Sequence, residues 1–173
     1  DYNKGVLTRA VIEAVLPEAR RRGILTAVDP KKHNFFAFRG ADLFKPNLKE
    51  IRDSVPFQVL PEIASLKLAS EYLRKKLDQR ITMITLSEKG LFLESQKEAS
   101  LYPTVARNVA DVSGAGDTVI SVASLGLAVG LELPLVAALS NLAGGQVCEY
   151  PGVVPVQREI LEVEFDHWLQ ENI

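Results

Sequence analysis

The sequence predicts an α/β protein built around a doubly wound sheet. Short apolar runs that end at polar, glycine or proline residues alternate with longer stretches whose apolar residues recur at helical spacing. From Gly116 onward the pattern is helical only, so the sheet is expected to be followed by a helical end. Ligands of such sheets bind beyond the carboxyl ends of the strands, and residues placed there are the first candidates for a site.

The first half of the chain contains segments that deliver polar residues to this edge. Pro17 lies inside the first helical stretch and is expected to split it or to begin its last turns. The first strand delivers Asp29 to a loop, and Pro46 stops the second strand. The predicted elements are a helix between a cap at Thr8 and a stop at Gly23, strands at 24–28 and 41–45, and a small helix beginning at Asn47.

The second half begins with an amphipathic helix, indicated by one apolar stripe that runs from Ile63 to Leu77. A glycine-containing turn then separates a buried strand from a predicted hairpin. The predicted elements are a helix at 63–77, a strand at 81–86, hairpin strands at 91–94 and 99–105, helices at 117–129 and from Pro134 to about 150, and an amphipathic helix after Pro155.

Length and composition are those of one globular domain, predicted over residues 1–173. Hydrophobic residues make up 47% of the chain and charged residues 24%, which allows a core of useful size. The net charge of −2 argues against a nucleic-acid partner, and the three arginines at 20–22 suit the end of a helix. No apolar run is long enough to cross a membrane and no signal peptide is recognised, so a cytoplasmic location is expected.

Cysteine and histidine are too few for a disulfide or a metal clip. Cys148 is the only cysteine and is expected to be a small buried residue. His33 and His167 are far apart along the chain and supply no ligand set. The chain opens at Asp1 and its only methionine is Met83, so it is expected to be part of a longer protein.

The most informative segment is the run Asp-Val-Ser-Gly-Ala-Gly-Asp-Thr at 111–118. Two glycines flank Ala115 directly before a helix, so bulky side chains are absent where backbone N–H groups converge. Successive N–H groups at a helix start form an anion site, and such a site can stabilise a phosphoryl group as its charge shifts. Gly114, Ala115 and Gly116 are therefore predicted to bind a phosphoryl group during its transfer.

Asp117 lies in the first turn of that helix and is the candidate general base for a hydroxyl that attacks the same phosphorus. The helix dipole favours the ionised carboxylate, which makes it a weak base. In a loose transfer the hydroxyl loses its proton late, so orientation can outweigh base strength. A purely structural alternative stays open, because Gly116 and Asp117 also make a favourable helix start.

Two other phosphate-binding motifs are rejected. The sequence contains no Gly-x-x-x-x-Gly-Lys-Ser/Thr, which excludes a P-loop enzyme. A dinucleotide fold would need a third glycine where Val119 stands, and a further βα unit where a second helix follows. An NAD(P)-dependent oxidoreductase is disfavoured for these reasons.

Asp-x-x-Gly-Ala-Gly-Asp before a small-residue helix resembles the carboxy-terminal signature of ribokinase-like (PfkB) carbohydrate kinases. The resemblance implies a three-layer, Rossmann-type fold and an ATP- and Mg²⁺-dependent phosphotransferase, with Asp117 as the base and the amides of 114–116 as the anion hole. It covers essentially the whole chain but only the second half of the family's fold. The sheet is therefore expected to be incomplete, and the isolated chain is expected to be inactive and to pair with the missing amino-terminal portion or with a second copy.

Further segments match the family in the right order. Lys45, Pro46 and Asn47, followed by Glu50, resemble the family's Asn-x-x-Glu motif. The resemblance implies that Lys45, Asn47 and Glu50 bind or organise the nucleotide phosphates, and that Glu50 acts on Mg²⁺ through phosphate or water. The structural alternative is a capping box, in which Asn47 and Glu50 only begin a helix.

The segment from Thr85 to Gly90 resembles the nucleotide loop of the same family, with Ser87 where glycine is frequent. Asn141 matches an asparagine near the base pocket. Asp111 and Gly152 lie where the family often builds a monovalent-cation site, although Val112-Ser113 replaces the common Thr-Thr and leaves a K⁺ requirement open.

The runs at 1–8, 28–31 and 39–41 are similar to the D-glycero-β-D-manno-heptose-7-phosphate kinase branch of the family. This similarity implies conversion of heptose 7-phosphate to heptose 1,7-bisphosphate, a precursor of lipopolysaccharide core sugars. Two alternatives stay open. One is a non-catalytic nucleotide-binding or interaction fragment with the same fold, and the other is a ribokinase-like kinase that acts on ribose, fructose or a nucleoside.

Overall fold

The computed structural model describes residue 2 and residues 4–172, so Asp1 and Asn3 of the opening run lie outside the described residues. The chain divides into two compact units, Asp1–Leu101 and Tyr102–Ile173. The single domain expected over 1–173 stays a prediction. Within the described residues, no helix combines the length and the apolar character needed to cross a membrane.

The first unit contains the sheet. Its strands lie in the order β1 to β5, with β1, β2 and β3 parallel and β4 antiparallel to β3, which makes a mixed open sheet. The strands are β1 (Ala27–Val28), β2 (Leu43–Phe44), β3 (Ile81–Thr85), β4 (Leu91–Glu94) and β5 (Ala99–Tyr102), and the helices of this unit are α1 (Arg9–Arg21), α2 (Leu48–Arg52) and α3 (Ile63–Leu77).

The first two strands are shorter than predicted, because a side chain replaces some of the backbone hydrogen bonds that would pair them. The carboxylate of Asp42 accepts hydrogen bonds from the backbone N–H of Thr26 (2.9 Å) and from its hydroxyl (3.1 Å). Thr26 and Asp42 are therefore held together partly by side chains, outside the regular strand pairing. The final hairpin strand ends at Tyr102. The next residue, Pro103, has no backbone N–H and cannot donate a hydrogen bond to a neighbouring strand.

Helix α1 has the predicted cap, since the Thr8 hydroxyl accepts a hydrogen bond from Val11 N–H at 3.3 Å. The expected break at Pro17 is absent from this helix, which is continuous through it. Pro17 is on the exposed side, where water can satisfy the carbonyl one turn earlier. Arg21 and Arg22 at its end form ion pairs with Glu18, as expected for cations on a solvated helix.

The hydrophobic core of the first unit lies against α3 and the sheet. Helix α3 buries Leu66, Ala69, Leu73 and Leu77 on one stripe, as predicted, but the predicted stripe residue Ile63 is 44% exposed because it begins the helix. Large fully buried side chains from the sheet and from α2 complete this core: Leu43, Phe44, Ile51, Met83, Ile84, Leu91, Phe92 and Leu93.

The second unit is helical, with α4 (Ala115–Ala128), α5 (Leu133–Val147) and α6 (Arg158–Asn172). Helices α4 and α5 lie close together through small residues, since a Cβ at Gly144 would stand only 2.6 Å from Val119 Cγ2. Arg107, whose side chain is almost fully buried, pairs with Glu149 at 2.9 Å and with Glu164 at 2.6 Å. These ion pairs attach α6 and the end of α5 to the segment that leads into the glycine turn.

Candidate active site

Residues that follow β1, β2 and β3 meet at the carboxyl edge of the sheet. Lys45 N–H donates to the carbonyl of Val28 at 2.8 Å, and Thr85 N–H donates to the carbonyl of Pro46 at 3.2 Å. Asn47 and Thr85 also form an isolated parallel bridge. The Asn-x-x-Glu segment and the segment that resembles the nucleotide loop therefore lie side by side within the first unit.

Asn47 and Glu50 form a complete capping box at the start of α2. The Asn47 Oδ1 accepts from Glu50 N–H at 2.8 Å, and Glu50 Oε2 accepts from Asn47 N–H at 2.8 Å. The structural alternative raised by the sequence is thus present, and it leaves one Glu50 oxygen, Oε1, pointing elsewhere. The reciprocal bonds hold this carboxylate in one orientation, which suits a group that must meet a metal-bound phosphate.

The remaining oxygens of this region belong to a network of four charges. Lys45 Nζ lies 3.0 Å from Asp29 Oδ2, and Lys31 Nζ lies 3.3 Å from Asp29 Oδ1 and 2.6 Å from Glu50 Oε1. Burial opposes the charge on Lys31, but its hydrogen bond to Glu50 and the charges of Asp29 and Glu50 outweigh that effect and raise the pKa of Lys31. The Lys31 ammonium therefore stays protonated over the physiological range.

Lys45 is placed differently from a surface phosphate ligand. Its side chain is 3% exposed and its ammonium is engaged by Asp29. A buried cation needs such a partner, because an unpaired charge in this position would be strongly destabilising. The predicted contact of Lys45 with nucleotide stays a prediction, and the geometry favours a positioning role for it.

The turn after β3 has an unusual backbone at both ends. Ser87 has φ 55°, in the left-handed region, and Gly90 has φ 88° and ψ −132°, which is a conformation reserved for glycine. Hydrogen bonds from Gly90 N–H to Ser87 O and from Leu86 N–H to Gly90 O close the turn tightly. The left-handed backbone at 87 explains in physical terms why a glycine suits this position.

Replacing Ser87 with glycine is expected to stabilise the chain by about 1 kcal/mol, because glycine adopts this φ without the steric cost of a Cβ. Urea unfolding of the purified chain measures the change. The matched control is Ser100→Gly within β5, where glycine weakens a strand and the midpoint should fall. A midpoint for Ser87→Gly at or below that of the parent chain would contradict the strain assignment.

The glycine turn of the second unit begins a helix, and some of its backbone N–H groups have no protein acceptor among the described residues. Gly114 has φ 79° and precedes α4, and Thr118 N–H closes the first turn on Gly114 O at 2.9 Å. Ala115 N–H lies 3.3 Å from Val112 O, whereas the N–H groups of Gly114 and Gly116 have no protein acceptor among the residues that the structure describes. Unsatisfied N–H groups at the start of a 14-residue helix suit an anion.

Asp117 lies in the first turn of α4 and is exposed, as its predicted role requires. Its backbone carbonyl accepts a hydrogen bond from the Ser121 hydroxyl at 2.7 Å, one turn further along the helix. The side chain is therefore not turned into the core of the second unit. Its role as the base stays a prediction.

Asp111 ties the glycine turn to the loop after α5. One carboxylate oxygen accepts from Ser113 N–H (3.0 Å) and from the Ser113 hydroxyl (2.8 Å), and the other accepts from Gly152 N–H at 3.0 Å. The Gly152 amide and then the Ser113 donors lower the pKa of Asp111. This hydrogen bond brings together Asp111 and Gly152, the two residues of the predicted cation site, and cation binding there stays a prediction.

Asn141 holds the segment that follows β5 against α5. Its Nδ2 donates to the carbonyls of Tyr102 (3.3 Å) and Pro103 (2.8 Å), and its Oδ1 lies 3.4 Å from the Thr104 hydroxyl. Both amide hydrogens are thereby used within the protein. The predicted contact of Asn141 with the nucleotide base stays a prediction, beside this structural role.

The comparisons with known proteins place the chain in a family. The model of the pfkB family carbohydrate kinases matches residues 19–159. The chain belongs to this family. The resemblance recognised in the glycine turn is confirmed, and the assignment of the chain to a family of kinases follows.

Curated relatives and solved structures agree with that membership. The bifunctional protein HldE of Syntrophotalea carbinolica is 40% identical over 96% of this chain, and that of Citrifermentans bemidjiense is 39% identical over 99%. The pfkB chain spans about a third of the length of these relatives, 34% and 35%.

Among solved structures, phosphofructokinase-2 from Escherichia coli in complex with potassium has a TM-score of 0.84 at 16% identity, over 93% of this chain and 53% of its own. Ribokinase from Thermotoga maritima has a TM-score of 0.70 at 22% identity, over 90% of this chain and 53% of its own. These likenesses confirm the predicted α/β fold class of the pfkB chain.

Two structural features of this site could not be predicted from the sequence. Nothing along the chain signals that Lys45 is buried against Asp29, since the two are 16 positions apart and lysines are mostly exposed. Arg107 carries no motif either, yet it anchors the segment before the glycine turn through two distant glutamates. Only a structure could find these pairs.

Proposed function

We propose that the chain contributes to ATP-dependent phosphoryl transfer onto a sugar-phosphate hydroxyl, with heptose 7-phosphate as acceptor and heptose 1,7-bisphosphate as product. The observation that carries the proposal is the start of α4. There the backbone N–H groups of Gly114 and Gly116 have no protein acceptor among the described residues, and the exposed residue Asp117 follows directly. Amide N–H donors can stabilise the charge that develops on a phosphoryl group during its transfer, and an adjacent carboxylate can orient the attacking alcohol.

The residues of the first unit fit a metal-bound nucleotide. Mg²⁺ in kinases is held largely by phosphate oxygens and water with one or two carboxylates, and Glu50 and Asp29 supply carboxylates without a dedicated cage. Bound Mg²⁺ would supply charge neutralisation for the phosphates, and Glu50 would act on it through water.

The nucleotide itself is assigned to the turn after β3. Thr85 lies beside Asn47 in a parallel bridge, and Gly90 allows the chain to reverse close to a ligand. ATP as the donor, Lys45 as a positioning group, Asn141 near the base and a monovalent cation at Asp111 and Gly152 belong to the same proposal. Family membership supports ATP directly and the cation only by analogy.

The choice of heptose 7-phosphate rests on the runs at 1–8, 28–31 and 39–41, and the HldE relatives support the same branch. A place in lipopolysaccharide precursor supply and in the cytoplasm follows from that choice and is proposed with it. Strand β1 is the outer strand of the described sheet, so we also propose that a further portion of the fold or a second copy pairs with this edge.

The test is the full-length polypeptide that carries this chain, incubated with MgATP and a panel of heptose 7-phosphate, ribose, fructose and a nucleoside. Phosphorus NMR should show a new anomeric phosphate with heptose 7-phosphate, and ADP should form at the same rate. Turnover with another acceptor alone would select a different ribokinase-like kinase. Nucleotide binding without turnover on any acceptor would instead support the non-catalytic alternative.

A further inference from the structure

Lys31 occupies a distinctive place in the charge network of the first unit. Its ammonium lies 2.6 Å from Glu50 Oε1 and 3.3 Å from Asp29 Oδ1, so it bridges the two carboxylates. The other oxygen of each carboxylate is held from within the fold, by Lys45 Nζ at Asp29 and by Asn47 N–H at Glu50. Lys31 therefore occupies the Glu50 oxygen that the capping box leaves unused, and it also reaches Asp29.

The four contacts differ in how easily they can be released. Lys45 is 3% exposed and the Asn47 donor is backbone, so neither can leave without disturbing the fold. Lys31 is 32% exposed, and its ammonium sits at the end of a flexible four-carbon chain. Only the Lys31 contacts can be exchanged for another cation while the rest of the network stays in place.

The charges make this exchange obligatory for any metal that reaches Glu50. A divalent cation brought to Glu50 Oε1 would meet the Lys31 ammonium at close range, because that ammonium lies 2.6 Å from the same oxygen. Like charges a few ångströms apart repel strongly where water is partly excluded. Departure of the Lys31 ammonium removes this repulsion and restores a net negative charge.

We propose that Lys31 is a resident counter-ion that occupies the cation position of Glu50 until a metal-bound phosphate takes it, and that its ammonium then turns to a phosphoryl oxygen. The inference rests on the proposed function and names a positioning residue for it. In the empty protein Lys31 keeps Glu50 and Asp29 from repelling each other. In the loaded protein it adds a positive charge on the phosphate side of the site.

The experiment measures binding of Mn²⁺, a paramagnetic substitute for Mg²⁺, to the nucleotide-free chain by electron paramagnetic resonance. Lys31→Met is expected to bind Mn²⁺ about tenfold tighter than the parent chain, because a competing positive charge has gone from the carboxylates. Lys32→Met, the same change at the exposed neighbouring residue, should leave the affinity unchanged. Lys31→Arg keeps the charge and should also behave like the parent chain.

A gain of affinity that depends on Glu50 is specific to this site, which makes Lys31→Met informative even if its stability falls. Adding Glu50→Gln to Lys31→Met should abolish the gain, since Glu50 provides the released oxygen. Equal Mn²⁺ affinity in the parent chain and Lys31→Met, with Glu50-dependent binding in both, would overturn the counter-ion role and leave the kinase proposal intact. Absence of Glu50-dependent Mn²⁺ binding in every variant would overturn both.

Discussion

Asp117→Asn in the full-length polypeptide is expected to lower kcat for phosphoryl transfer by about 10³-fold. A positioned general base contributes roughly 10²–10⁴-fold, and asparagine keeps the size of the side chain while losing the charge that orients the hydroxyl. The measurement is coupled ADP release at saturating MgATP and sugar phosphate. The affinity for MgADP should stay close to that of the parent enzyme, because the predicted phosphate ligands are backbone amides.

Two comparisons make this result specific. Asp166→Asn removes an exposed aspartate from α6 and should leave kcat unchanged. Loss of the first-turn carboxylate of α4 should lower the free energy of unfolding by no more than about 1 kcal/mol, so the variant remains folded. Full turnover by Asp117→Asn would show that Asp117 is not the base. The structural alternative, in which Gly116 and Asp117 only begin the helix, would then hold.

Gly114→Ala is expected to lower phosphoryl transfer by about 10²-fold and to destabilise the second unit by about 1–2 kcal/mol. Gly114 has φ 79°, and an added Cβ would lie 3.2 Å from Val153 Cγ1. Relief of that contact must move the turn or Val153, and moving the turn displaces the amides at 114 and 116. Steady-state kinetics and urea unfolding measure the two effects separately.

Gly130→Ala separates backbone strain from displacement of the amides. Gly130 has φ 78° and no neighbouring atom within 4 Å of an added Cβ, and it lies beyond the other end of α4. The control should therefore lose a similar stability and keep its turnover. Similar losses of turnover in both variants would show that Gly114 acts through stability alone.

The most local features of the site could be predicted from the sequence. The cap at Thr8 and the helix start at the glycine turn each depend on contacts between residues at most four positions apart. The box between Asn47 and Glu50 also forms as its spacing predicts. Side chains and backbone groups this close along the chain meet whenever the local backbone conformation forms, so residue type and spacing are sufficient evidence.

The lengths of β1 and β2, and the continuity of α1 through Pro17, could not be predicted from local sequence. The runs at 24–28 and 41–45 have the composition of full strands, yet Asp42 bonds to Thr26 and replaces regular pairing. Pro17 lies within one continuous helix because its side of α1 faces solvent. Each outcome depends on what the segment meets in the fold, which a single stretch of sequence does not contain.

Residue types and their short-range order were thus enough to predict the α/β class and a helix that begins at the glycine turn with an acid in its first turn. The charge partners were decided by folding, since Lys31 meets Glu50 across 19 positions and Arg107 meets Glu164 across 57. Pairing over such distances is set by how strands and helices pack, and many lysines and glutamates along the chain could have served equally well. Burial then determines which of these pairs carry energetic weight, because a charge removed from water must find a partner.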